Sequence, residues 1–326
     1  MKKFIIPLFM VLASGVVILS VNLWQWTREY ENGSHFNPPK CFKDIPSLSA
    51  PEFGCSLSLP SQYGTITYKY NEVRLRERPV AAIKDGQVLV LGSNQVEGLG
   101  LPAESTIPQL LEARLESSLG LQFINVGKSS GGTISMVLVA GEAIKRFKPS
   151  RMLWILSEDD LRQDLFIDQA TLARDESGLP IKVARRAIVE KDPLLSMVSG
   201  IFQHVGNGSD VHKAVIAHLW SERGGSRIAG FDACKAIRKL EKVSEAANAP
   251  IKFVLIPSGP EHSTKVLKAH LSLLSVCPSS SPLDLSASLG GAENFQTNHT
   301  DLSKQGAEKA ADLIAKVLAE EWRVAR

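Results

Sequence analysis

The apolar run Val88-Leu89-Val90-Leu91 leads into Gly92-Ser93-Asn94-Gln95-Val96-Glu97-Gly98, the pattern of a buried strand delivering polar side chains into a tight turn. Three further stretches put polar groups at the ends of apolar runs or ahead of a helical one. They are Asn125-Val126-Gly127-Lys128-Ser129-Ser130-Gly131-Gly132-Thr133, Leu156-Ser157-Glu158-Asp159-Asp160-Leu161 and Asn298-His299-Thr300-Asp301-Leu302-Ser303. A hydroxyl, an imidazole and carboxylates on converging turns are the parts of nucleophilic acyl transfer, in which a base activates the nucleophile and a third group orients the base. Ser93 and His299 form one such pair, provided a loop brings them within hydrogen-bond reach. Against that pairing, Ser93 also suits a local bond to the turn backbone, and His299 suits a surface loop. Asn94, Asp159, Asn298 and Asp301 are instead oxygen donors of the kind that hard cations such as calcium take. The chain has no dedicated calcium loop, its cysteines have no CxxC spacing, and His204, His212, His218 and His262 have no ligand spacing. A hydrogen-bonded polar cluster is therefore the expectation, with no metal and no cofactor.

Val126-Gly127-Lys128-Ser129 ends like a phosphate-binding loop. A Walker A loop needs a glycine five positions before the Gly-Lys pair, where this chain has Gln122 inside a strand, so the backbone cannot wrap a phosphate there. Nor does charge suggest a nucleic-acid partner: the formal net charge is +3 and the basic residues are dispersed, as on a solvated face.

The elements that must hold these turns alternate. Gln87–Leu91 reads as a buried strand, Thr106–Ser118 as a helix with Ile107, Leu110, Leu111 and Leu115 on one face, and Leu121–Val126 as the next strand. The helix Ser135–Phe147, the strand Arg151–Leu156, the helix Asp232–Asn248 and the strand Ile251–Ile256 follow. A short strand near Leu283–Leu285 and the helix Ser303–Trp322 close the chain. Strands alternating with helices predict a three-layer α/β sandwich around a parallel sheet, and in such sheets sites form at the carboxyl ends of the strands. Residues 161–230 are less regular and read as an inserted helical region.

Ahead of this core lie two other segments. Residues 4–23 carry no charge and are interrupted only by Pro7, Ser14, Gly15, Ser20 and Asn22, long enough for a helix to cross a hydrocarbon core of roughly 30 Å. Lys2 and Lys3 in residues 1–3 mark the cytoplasmic end, and Trp24, Trp26 and Tyr30 suit the far interface. A transmembrane anchor facing the periplasm or the extracellular side is expected, the alternative being a signal peptide cleaved at Ala13-Ser14-Gly15 and a secreted chain. Residues 24–83 read as a juxtamembrane segment, polar and turn-rich over His35–Pro60, with a strand near Tyr63–Tyr70. An exported location permits disulfides. Cys41 and Cys55 bracket a Pro/Ser-rich loop and are the favoured pair, worth about 3 kcal/mol by loop closure, whereas sequence leaves Cys234 and Cys277 unpaired with each other or anything else.

In order and spacing the four turns resemble those of the SGNH, or GDSL-type, hydrolases, whose members commonly read LGDSxTEG, N-x-G-x-S-G-x-G-T, G-x-N-D-L and D-x-x-H-L-S-x-x-G. This chain reads LGSNQVEG, NVGKSSGGT, LSEDDL and NHTDLSKQG. Asn71–Arg76 also resembles the pre-core segment often seen in membrane-anchored members. The resemblance spans roughly Val88–Ala319, and it implies, for a domain of residues 84–326, a flavodoxin-like parallel sheet in an α/β/α sandwich. Carried over residue by residue, it puts the nucleophile on Asn94, the aspartate before it on Ser93 and the oxyanion-hole glycine on Gly127. The oxyanion-hole asparagine falls on Asp159, the terminal acid on Asn298 and its histidine on Asp301. Each replacement opposes the family reaction. An amide nitrogen is delocalised into its carbonyl and is not activated as a serine hydroxyl is. An ionised carboxylate offers no donor to an oxyanion, and two like charges 4 Å apart repel by about 4 kcal/mol at an effective dielectric of 20. The resemblance thus implies a catalytically degenerate, membrane-anchored member working in ligand binding or assembly at a bacterial envelope. The alternatives are an active O-acyl esterase or acyltransferase on cell-surface glycans using rearranged residues, and a structural subunit with 161–230 as its interface. The partners that follow are the membrane, an envelope glycan or acyl-ester ligand, and proteins docking on 161–230.

Overall fold

The computed structural model describes residues 56–70, 75–76, 86–128, 132–157, 160, 173–174, 180–182, 225–259, 275–296 and 301–324. The anchor 4–23, the Cys41–Cys55 pair, Asp159, Asn298, His299 and most of 161–230 lie outside the described residues.

A two-stranded antiparallel hairpin comes first, β1 (Ser56–Ser61) on β2 (Gly64–Lys69). The sandwich begins with β3 (Val88–Leu91), followed by the one-turn helix α1 (Asn94–Glu97), α2 (Ile107–Leu119), β4 (Phe123–Asn125), α3 (Thr133–Phe147) and β5 (Arg151–Leu156). A small antiparallel pair, β6 (Ala173–Arg174) with β7 (Pro180–Lys182), stands within the inserted region. Then come α4 (Gly225–Ala246), β8 (Ile251–Leu255), β9 (Leu283–Asp284), α5 (Ser286–Leu289) and α6 (Lys304–Val324). The five core strands are all parallel and lie in the order β4-β3-β5-β8-β9. Counted from β3, that is the 2-1-3-4-5 order of doubly wound, flavodoxin-like sheets.

Why β3 is central follows from its sequence. All four of its residues are buried, because both faces of a parallel sheet are covered by helices. Alternation then sorts them. Leu89 and Leu91 join Met152, Trp154 and Leu156 of β5 in a core with Val137, Ala140 and Ile144 of α3 and Ile237 and Leu240 of α4. Val88 and Val90 join Leu153 and Ile155 on the other face, with Leu111 and Leu115 of α2 and Ile314 and Leu318 of α6. Successive side chains of a strand point to opposite faces, so each strand supplies both cores and the molecule has three layers.

The helices begin and end for local reasons. In α2, Ile107, Leu111, Leu115 and Leu119 recur every four residues and are buried, a single helix face. Pro108 sits in its first turn and Gly120 ends it at φ 62°, its N–H on Glu116 O, a left-handed cap that glycine adopts without a Cβ clash. In α3, Lys145 and Arg146 occupy the last turn, where cations complement the helix dipole. In α6, Ala307, Ala310, Ala311 and Ala315 line the buried face and let the helix lie close against α2, while Trp322 stacks on Phe123 at 6.3 Å.

Two boundaries differ from the sequence reading. β1 forms within the stretch read as polar and turn-rich, because the Ser-Leu-Ser-Leu alternation pairs residue for residue with β2, Ser56 opposite Lys69 through Ser61 opposite Gly64. Helix α4 starts at Gly225 rather than Asp232, inside the region assigned to the insertion. A disulfide joins Cys234 of α4 to Cys277, a pairing that no sequence pattern announces. Arg238 Nε donates to Cys277 O at 3.0 Å, and the Glu241 carboxylate accepts from Ser279 N and Oγ, both at 2.9 Å, so the staple and its neighbours fix the chain that leads into β9.

Candidate functional site

The turn after β3 lies where the strand order reverses, the position at which ligands enter doubly wound sheets. Gly92 opens it at φ 156°, and a Cβ there would lie 2.4 Å from Val96 Cγ2 and 2.7 Å from Ile155 O, so only glycine lets the chain turn this tightly against β5. Ser93 is the N-cap of α1, with its carbonyl accepting from Val96 N at 3.1 Å and Glu97 N at 3.0 Å. Its side chain is buried and makes no capping hydrogen bond. Asn94 is half-buried, and its carbonyl accepts from Gly98 N at 2.8 Å and Leu99 N at 3.1 Å.

The second turn is pressed against the first. A Cβ on Gly127 would come within 2.3 Å of Glu97 N, which is why this position holds glycine. Asn125 joins the two turns: its Nδ2 donates to Val96 O at 2.9 Å, and its Oδ1 accepts the Gly127 N–H at 3.0 Å. The amide that the family resemblance places in an oxyanion hole is thus engaged within the protein, and an N–H bound to a side-chain oxygen is not a preorganised donor for a developing charge. Lys128 N donates to Gly92 O at 2.9 Å and closes the junction.

The third turn is closed by Asp160, wholly buried, whose Oδ2 accepts from Ser157 N at 2.9 Å. The fourth comes from the far end of the chain. Gln296 N donates to Asp301 O at 2.8 Å. Gln95 Oε1 accepts from Leu302 N at 3.0 Å, and Gln296 Nε2 donates to Leu99 O at 2.6 Å and Leu302 O at 2.9 Å. The bonds from Leu302 N to Gln95 and from Gln296 to Leu99 span 207 and 197 positions of sequence and hold the entry to α6 against α1. Asp301 is 3% exposed. The structure therefore brings Ser93, Asn94, Gly127 and Asp301 to one end of the sheet. Asp159, Asn298 and His299, like all the chain's histidines, fall outside the described residues. Among the described residues no group of three or more His, Cys, Asp or Glu is placed to hold a metal ion, and no helix is long and apolar enough to cross a membrane.

A second group of residues, which sequence reasoning passed over, lies directly behind α1. Tyr70 Oη donates to Glu97 Oε1 at 2.6 Å, and Tyr68 Oη accepts from Gly100 N at 2.6 Å. Arg76 lies over the Tyr68 ring at 4.3 Å, a cation–π contact. All four side chains, Tyr68, Tyr70, Arg76 and Glu97, are buried. Burial, and then the Glu97 carboxylate beside it, hold the Tyr70 hydroxyl well above the usual phenol range. Burial also raises Tyr68, offset in part by Arg76 and the Gly100 amide, with the charges of Glu97 and Asp301 adding to the rise. Asp301 is therefore within electrostatic reach of the hairpin. The available signal was the likeness of Asn71–Arg76 to a pre-core segment; for Gln95 and Gln296 there was none.

No family model matches the chain, and no curated protein matches it. Among solved structures it is similar to TesA, at 12% identity over 71% of this chain and 97% of that one, with a TM-score of 0.45. It is similar also to the psychrotrophic esterase EstA from Pseudoalteromonas sp., at 16% identity over 72% and 99% of the two chains and a TM-score of 0.41. A GDSL-like lipase from Bacteroides thetaiotaomicron shares 10% identity over 74% and 91%, with a TM-score of 0.40. At such identities the likeness is one of fold and carries no activity to this chain. In its parallel 2-1-3-4-5 sheet and the turns gathered at one end of it, the chain has a doubly wound, flavodoxin-like α/β fold.

Proposed function

We propose that this protein is an SGNH-type domain that has lost ester hydrolysis and works in ligand binding or assembly at a bacterial envelope, tethered there by residues 4–23. The observation that carries the reading is the identity of the side chains at the convergent turns. Asn94 stands at the nucleophile position and buried Asp301 at the base position, and neither can perform the step its position requires. The Gly127 amide, bound to Asn125, adds to this. The Cys234–Cys277 disulfide supports the exported placement, since such bonds persist in oxidising compartments.

One observation favours a second reading, an active esterase or acyltransferase on cell-surface glycans: Ser93 Oγ caps no amide of α1. A hydroxyl not committed to its own helix is available to a base such as His299. Its burial at 3% exposure weighs against attack on a bulky acyl ester. The test is turnover of p-nitrophenyl acetate and butyrate by the full chain. We expect none above the uncatalysed rate. Turnover that disappears in Ser93→Ala overturns the first reading in favour of the second, and parallel loss in His299→Ala identifies the base.

A further inference from the structure

The turn from Val96 to Leu101 has backbone bonds of its own, Gly98 N and Leu99 N to Asn94 O and Leu101 N to Gly98 O, and is also held from outside. Gly98 and Gly100 both lie at φ 75°, a left-handed geometry that glycine adopts at no steric cost. Each of the six carbonyls in this stretch is met by a side chain from elsewhere. Val96 O accepts from Asn125 at 2.9 Å, Glu97 O and Gly98 O from Arg76 Nη1 at 2.6 and 2.8 Å, and Leu99 O from Gln296 at 2.6 Å. Gly100 O accepts from Ser61 Oγ at 2.9 Å and Leu101 O from Arg76 Nη2 at 2.6 Å. Four of these six belong to Ser61 and Arg76, which precede the sandwich. The same segment supplies Tyr68 to the Gly100 amide and Tyr70 to the Glu97 carboxylate. The two ends of the turn are thereby fixed by one planar guanidinium, whose rigid fork sets the distance between the carbonyls it binds. The glycines fit around these side chains: a Cβ on Gly98 would lie 3.0 Å from Arg76 Nη1, and one on Gly100 would lie 2.2 Å from Gln296 Oε1.

We infer that the hairpin β1–β2 and Arg76 are a mould for the site turn, with Arg76 as the positioning residue that sets where Ser93 and Asn94 stand. Asn94 is tied to the moulded stretch because its carbonyl accepts from Gly98 N and Leu99 N, the two amides adjoining the carbonyls that Arg76 holds. Movement of the chain ahead of the sandwich is therefore transmitted to the mouth of the site. The inference stands whether the turn binds or cleaves, so the esterase measurement and the one that follows succeed or fail independently.

The experiment is amide hydrogen exchange on the full chain, together with the nuclear resonance of the Asn94 side-chain amide. The wild type, Arg76→Lys, Arg76→Ala and Tyr68→Phe are compared. In the wild type the amides of Gly98 to Leu101 exchange slowly. Arg76→Lys keeps the charge and loses the fork, so exchange in that stretch rises by on the order of tenfold, the loss of a charge-assisted bond. Arg76→Ala raises it further, and both move the Asn94 resonance, while the amides of β5 keep their wild-type rates. Tyr68→Phe releases the Gly100 amide. Four results overturn the inference: fast exchange of these amides in the wild type, an Asn94 resonance unmoved in Arg76→Lys, a rise in exchange shared equally by β5, or an Arg76→Lys chain that does not fold.

Discussion

At the scale of single residues, the site turns are tied to one another by amide side chains, Asn125 between the first two and Gln95 and Gln296 between the first and the last. We predict that restoring the family residues repairs chemistry only as a group. Asn94→Ser alone supplies a hydroxyl with no imidazole to take its proton, and it stays inert. Adding Asp301→His and Asn298→Asp supplies a base and its orienter, and Asp159→Asn replaces a repelling carboxylate by a donor, a class of change worth about 10²- to 10³-fold in rate. The gain is strongly non-additive, because such residues act as a unit, and initial rates on p-nitrophenyl acetate for each step of the series measure it. Asn125 imposes a ceiling, since it keeps the Gly127 amide. If Asn94→Ser alone restores turnover, the base position has been assigned to the wrong residue. Tyr70 makes a separate prediction. Burial and then the Glu97 carboxylate raise its folded pKa well above the usual phenol range, so above about pH 10 the unfolded chain gives up this proton before the folded one does. The stability that this proton contributes is whole below that pH and is lost as pH rises toward the folded pKa. Chemical denaturation between pH 8 and 11 shows the decline, and Tyr70→Phe makes it shallower while costing about 1–3 kcal/mol at pH 8 for the donor withdrawn from Glu97.

At the scale of elements, what brings the four turns together is contact between backbones, and the glycines mark where it happens. Gly306 in the first turn of α6 is the clearest case: a Cβ would stand 2.0 Å from Asn294 O and 2.8 Å from Asn294 C. Intrinsic helix propensity alone makes Gly→Ala stabilising by about 1 kcal/mol inside a helix. Here the obstacle is backbone rather than a flexible side-chain tip. The clash therefore decides the sign, and Gly306→Ala lowers stability by about 1–3 kcal/mol, read as a fall in the denaturation midpoint at unchanged m-value. A stabilised variant would mean that the loop preceding α6 is free to withdraw. The hairpin β1–β2 belongs to this scale as well. A two-stranded hairpin alone is marginal in water, and this one is held by Tyr68, Tyr70 and Ser61 inserted behind α1.

At the scale of the molecule, the sandwich rests on two cores, one on each face of the sheet, and on a single disulfide among the described residues. That disulfide ties α4 to the approach to β9 across a sequence separation of 43, a loop whose closure contributes about 4 kcal/mol in the chain-entropy account. We predict that Cys234→Ser, or reduction of the native protein, lowers unfolding stability by roughly that amount at most. Unchanged denaturation with and without reductant would remove the bond from the list of what holds the fold. The end of the sheet that carries Asn94 and Gly127 depends on it least, because Gln95, Asn125 and Arg76 hold those turns through bonds of their own.

The sequence by itself determined the architecture. Apolar runs such as Val88–Leu91 and Arg151–Leu156 are buried on both faces and leave one reading, a central parallel strand, and the four-residue spacing of Ile107, Leu111, Leu115 and Leu119 names both a helix and its inner face. It also determined what chemistry the site positions can offer, because what an amide or a carboxylate can do follows from its atoms, wherever it stands. Element ends were less legible, as β1 and the start of α4 show, since a local pattern competes there with pairing partners that lie elsewhere in the chain. The pairing of Cys234 with Cys277, the commitment of the Gly127 amide to Asn125, and the grip of Arg76 on the carbonyls of Glu97, Gly98 and Leu101 were decided only by the tertiary structure. Each joins groups whose types are ordinary and whose spacing along the chain carries no period, so that only the packed layers determine which donor meets which acceptor.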